Sequence, residues 1–72
     1  MTDVNFFEAV EIKQVLKNKF NIYLHFHDAC PKQYFSFDEI PNNAVIDFIN
    51  NYFDKKGMKP VFSKDGLEFY LA

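Results

Sequence analysis

The chain has 72 residues, 49% of them hydrophobic, with ten Phe, four Tyr and no Trp. One cysteine excludes an internal disulfide scaffold, and the ring-rich composition excludes a disordered or collagen-like chain. Eight lysines face ten acidic residues, for a net charge of −2, and arginine is absent, so the bidentate fork that grips phosphates and guanine edges is missing.

A single domain is all this length can hold. Below about 70–80 residues the gain from burial and the loss of chain entropy nearly cancel. Rings that bury roughly 150–250 Å² each are what lets so short a chain fold without a staple. The chain is a poor candidate for binding nucleic acid, because such binders carry a basic footprint. Lys, Asn, Ile, Phe and Tyr without Arg suit an AT-rich coding sequence, which points to a low-GC bacterium or a mobile element.

The first residues, Met1 to Glu8, include the acids Asp3 and Glu8 and no base before Lys13. A secretory signal needs a basic start followed by an apolar run, so none is expected here. The longest uncharged stretch, Phe20 to His27, is far short of the ~20 residues of a membrane helix. One thiol and no export signal suit a reducing cytoplasm.

Asn5 with Glu8 three residues on has the form of a helix cap and its reciprocal acid. Ala9, Ile12, Leu16 and Phe20 recur at three- and four-residue steps, with Phe6 and Val15 beside them. Lys13, Gln14, Lys17 and Asn18 take the wet side. The spacing predicts an amphipathic helix over about 5–19.

At Asn21 the period changes to two. Ile22, Leu24 and Phe26 alternate with Tyr23, His25 and His27, the pattern of a half-buried strand. Cys30 to Gln33 read as a turn, and Phe35 and Phe37 resume the alternation, so 22–38 form a hairpin. Pro41 stands where a helix likes to begin. Val45, Ile49, Tyr52 and Phe53 make the apolar side of a second helix over about 42–56. Gly57, after Lys55 and Lys56, supplies its stop.

Met58 to Ser63 and Leu67 to Leu71 then flank Lys64-Asp65-Gly66, a hairpin signal. Pro60 cannot donate to a ladder, so that strand is expected at a sheet edge or beginning only after it. The predicted fold is α+β, a two-layer αββαββ domain. Its four-stranded antiparallel sheet carries both helices on one face. The halves match in plan; strand order is left open.

The densest chemistry is His25-Phe26-His27-Asp28-Ala29-Cys30, with both histidines, an acid and the only thiol. Its H-x-H-D-x-C form contains zinc-type ligands. On a strand, however, His25 and His27 share one face roughly 6.6 Å apart while Cys30 has core-face parity. A closed structural site would also need a fourth ligand. No metal or other cofactor is therefore expected, and Cys30 is read as a small buried hydrophobe. A reactive Cys30 would need a lowered pKa and a cleft. Neither a Gly-rich oxyanion loop nor a pocket is evident, so no catalytic residue is assigned and no enzyme is expected. Asp28 before Pro31 suits a structural corner.

At His27-Asp28-Ala29-Cys30 the sequence resembles the RDAC family of small bacterial proteins, named for an Arg-Asp-Ala-Cys tetrapeptide. The likeness extends to Lys32-Gln33, to similar length and to a helix–hairpin start. His27 stands where the family name has Arg. The resemblance implies no activity, cofactor or binding residue.

The remaining candidate is a surface. By parity Tyr23, His25, His27, Tyr34, Ser36, Glu68 and Tyr70 project from the sheet face away from the helices. Tyrosine is enriched at protein interfaces, so this face is expected to meet a protein partner or a second copy of the chain. Two further classes stay open: a metal- or redox-responsive module using His25, His27 and Cys30, and an inhibitor protein from a phage or mobile element.

Overall fold

The computed structural model describes residues 4–28 and 32–72. Asn5 caps the first helix, α1 (Phe6–Phe20), through a reciprocal box: its side chain accepts the Glu8 N–H, and the Glu8 carboxylate accepts the Asn5 N–H. Asn21 ends it in the left-handed conformation, φ 56°, with its N–H on the Lys17 carbonyl. Strands β1 (Leu24–His27) and β2 (Tyr34–Phe37) form the first hairpin.

The second helix, α2 (Asn43–Asp54), begins one step later than Pro41 suggests. Asn42 is the cap, its side chain accepting the Val45 N–H at 3.0 Å, and Pro41 is buried just before it. The helix also ends earlier than expected, at Asp54, so the basic pair lies past its last turn. Gly57, φ 75°, reverses the chain, and the Met58 N–H returns to the Phe53 carbonyl at 2.9 Å. A side chain is strained at that φ, which is why glycine stands there.

Strands β3 (Pro60–Phe62) and β4 (Glu68–Leu71) complete an antiparallel sheet in the order β1-β2-β4-β3. In each half the outer strand comes first and the inner one second, so the two αββ halves meet at the antiparallel β2–β4 joint. Asp65 shapes the last turn by accepting from the Leu67 N–H and the Ser63 hydroxyl. Those bonds, the Leu67 one foremost, hold its carboxyl below the usual carboxylate range.

Both helices cover one face of the sheet. Ile12 and Leu16 of α1 and Val45, Ile49 and Phe53 of α2 are buried against Leu24, Phe35, Phe37, Phe69 and Leu71. One cross-strand row dominates this core. Phe26 pairs with Phe35, Phe35 with Phe69, and Phe69 with Phe62, one ring from every strand. Successive centroids are 5.0, 4.9 and 5.1 Å apart, and the central Phe35–Phe69 pair is stacked. Phe53 of α2 closes over the middle of the row.

Two rings behave differently from the periodic expectation. Phe6, placed beside the apolar stripe of α1, is 70% exposed, and its neighbour Phe7 is 81% exposed. Val4, ahead of the cap, takes the core position at that end instead. Tyr52, on the apolar side of α2, reaches its hydroxyl to the Glu11 carboxylate of α1, beside Lys56. Partial burial and then the hydrogen bond its hydroxyl donates to the Glu11 carboxylate push the Tyr52 phenol well above its usual range.

Phe35→Ala should cost about 3–5 kcal/mol, as large buried rings do. Phe26→Ala, at the half-buried end of the row, should cost less; urea denaturation of both variants checks the order. Tyr52 stays protonated in the folded chain where the unfolded chain ionises, so its contribution is complete below about pH 10 and declines above that. Tyr52→Phe should lose about 0.5–1.5 kcal/mol at neutral pH and flatten the alkaline limb of stability against pH.

Candidate functional site

The face opposite the helices is bare backbone dressed by alternate side chains of four strands. His25 and His27 of β1, Tyr34 and Ser36 of β2, and Glu68 and Tyr70 of β4 all have the parity that turns them away from the core. The rows across it mirror the phenylalanine row beneath. His27 is registered with Tyr34, and their rings stack with centroids 4.4 Å apart and planes 12° apart. Tyr70 is registered with Val61. Tyr34, Tyr70 and Val61, with Ser63 and Glu68, line a groove of about 390 Å³.

Lys32 completes that groove. Its ammonium stands 3.8 Å from the centroid of the Tyr70 ring, within cation–π range. The histidines take separate partners: His27 Nε2 is 2.8 Å from the Ser36 hydroxyl, and His25 Nε2 is 2.9 Å from the Asp38 carboxylate. Pinned in this way, the His27 ring keeps its plane against Tyr34. The face is therefore aromatic at its centre and polar at its rim, with Lys32 and Glu68 of opposite sign near the groove.

Tyr23 does not join this group. It stands one residue before β1, 59% exposed, with the Lys17 ammonium 4.5 Å from its ring centroid. It lines a second hollow with Ile22, Asp38 and Ile40 at the other end of the sheet. Lys32 and Val61 are the converse, members of the groove that were not singled out from the sequence. Val61 carried a usable signal, since it alternates between Pro60 and Phe62. Lys32 carried none, because a turn residue has no parity.

Cys30 and the Ala29-Cys30-Pro31 corner lie outside the described residues. Among the described residues, no three of His, Cys, Asp and Glu come close enough to share a metal ion. Beside that corner in the sequence, Gln33 has a dense set of partners. It grips Val4 from both sides, accepting its N–H at 2.8 Å and donating to its carbonyl at 3.1 Å, and also donates to Asp28. Asp28 and Gln33 are thus bonded to each other through their side chains, and Gln33 ties Val4 to the first hairpin.

No protein-family model, no curated protein and no solved structure matches the chain.

Gln33→Ala removes three hydrogen bonds, two of them to the backbone of a core residue. It should lose about 1–3 kcal/mol, the range for leaving such groups unpaired. Faster proteolysis near Val4 and a lower urea midpoint would show the loss; an unchanged midpoint would mean that water replaces the amide without penalty.

Proposed function

We propose that this chain is a protein-binding module whose contact surface is the open sheet face around Tyr34 and Tyr70. The single observation behind this reading is the groove between them, walled by Tyr34, whose ring stacks on His27, and by the Lys32-topped Tyr70 ring. Rings with few rotors, held by neighbours, lose little entropy on binding, and Tyr is favoured at the energetic centres of interfaces for that reason. Apolar centre and polar rim are the arrangement protein contacts share.

Stacked aromatics on a sheet also serve RNA-binding domains. Here Glu68 and the Asp38 carboxylate on His25 accompany them, the chain is acidic, and arginine is absent. A phosphate backbone would meet repulsion where a protein surface would find hydrogen bonds, so protein is the partner class favoured.

The test is the variant Tyr34→Ser/Tyr70→Ser, checked by circular dichroism for an intact fold. A partner captured from host lysate with the wild-type chain should, once isolated, bind the variant at least ~100-fold more weakly, the effect of losing paired hot-spot rings. Equal affinity of the folded variant for that partner would overturn the assignment of this face.

A further inference from the structure

The sheet has two edges, β1 and β3, and they differ in what they offer an incoming strand. Along an antiparallel strand, successive residues send their N–H and C=O to alternate sides. The Phe37 N–H donates to the Leu67 carbonyl at 2.8 Å, so Phe35 and Phe37 turn toward β4, and Tyr34 and Ser36 toward β1. Their register partners His27 and His25 therefore use their backbone groups inside the sheet. Leu24 and Phe26 turn theirs outward, where Leu24 is covered (2% exposed) and Phe26 is half-buried.

On the other side, Lys59 and Ala72 exchange two backbone bonds, at 3.1 and 2.8 Å. Val61 then also faces inward, and Pro60 and Phe62 face outward. Proline has no N–H, so Phe62 holds the only outward donor of β3, between Lys59 and Lys64. Proline, lysine and shortness are the usual means of blunting an edge. The β1 edge, four residues long, reads Leu-His-Phe-His, with a continuous register and neither proline nor lysine.

We propose that β1 pairs antiparallel with β1 of a second copy, across a two-fold axis at Phe26. Residues opposite one another on antiparallel strands share a face, so a register that keeps core against core must oppose residues of equal parity. Phe26 opposite the second copy's Phe26 does this. It places His25 opposite His27 on the outer face and Leu24 opposite Asp28. Phe26, whose backbone groups point outward, then exchanges both of its N–H···O bonds across the axis.

The register also answers a packing observation. Phe26 ends the row of rings at this edge and, like Phe62 at the other end, is only half-buried, whereas Phe35 and Phe69 between them are fully buried. Self-pairing would continue the row through the second copy. The α1 helix adds apolar surface on the same side. Lys17 reaches Tyr23 at the β1 end, while Glu11 and Lys19 meet Tyr52 and Phe48 of α2. Phe6 and Val10 lie on the Lys17 stripe of α1, away from α2, and Phe6 is 70% exposed. An unrelated strand would match the backbone bonds of this edge but neither of these surfaces. The contact is isologous and closes at two chains, since the blunted β3 edges end the enlarged sheet.

Analytical ultracentrifugation and amide exchange on the whole chain test this together. At submillimolar concentration the protein should sediment at twice its monomer mass. The Phe26 amide should then exchange roughly tenfold or more slowly than in dilute solution, as paired amides do. At 72 residues the chain is accessible to chemical synthesis, and N-methylation of the Phe26 amide should leave a folded monomer. A wild-type chain that stays monomeric at that concentration overturns the proposal. So does a dimer whose Phe26 amide exchanges at its dilute rate, or a folded N-methyl variant that still dimerises. A dimer lost in Tyr34→Ser/Tyr70→Ser but kept in the N-methyl variant would place self-association on the open face instead, leaving the protein-binding reading intact and the edge pairing refuted.

Discussion

The row Phe26–Phe35–Phe69–Phe62 is the constraint from which the rest of this small structure follows. A domain of this length has little volume in which to hide apolar surface, and four rings in register supply it along a single line. The line also sets the relation of the two halves. Phe35 and Phe69 can stack only if β2 and β4 are neighbours, and that adjacency forces β1 and β3 to the outside. Sheet order, edges and the position of Phe53 over the middle all depend on it.

Because the core face is saturated with rings, the opposite face inherits its geometry. The same register that aligns four phenylalanines aligns His27 with Tyr34 and Tyr70 with Val61 one step along. The groove on the open face is thus a by-product of core packing, with Lys32, Ser63 and Glu68 as the polar part of its lining. No buried side-chain polar atom among the described residues is left without a partner. The polar side chains of the described residues meet their partners at the surface.

Much of this was legible from local pattern. Asn5 with Glu8, the period-two alternation around Leu24 and Phe35, and Gly57 each carry their own physical cause. The elements they imply are present within a residue or two. The parity that put His25, His27, Tyr34 and Tyr70 on the outer face followed from the same alternation. Strand order did not, because nothing in either hairpin states which strand of the other it will meet. Pro41 misled because an Asn immediately after it offered the better cap. Phe6 misled because periodicity describes a helix of unlimited length, and at its first turn Val4 had already taken the core position. Gln33 was invisible for a related reason: its partners, Val4 and Asp28, are set by tertiary placement and by no spacing in the chain.

The β2–β4 joint also bears on how the chain finds its fold. Each αββ half is stitched by contacts between near neighbours in sequence, and such contacts form quickly. Phe35 and Phe69 are half a chain apart, so their meeting carries the largest loop-closure entropy of any strand pairing here. Neither half has a second sheet neighbour or a closed core until they meet. The two halves should therefore acquire lasting structure together, in one cooperative step whose rate is governed by this joint and not by either hairpin.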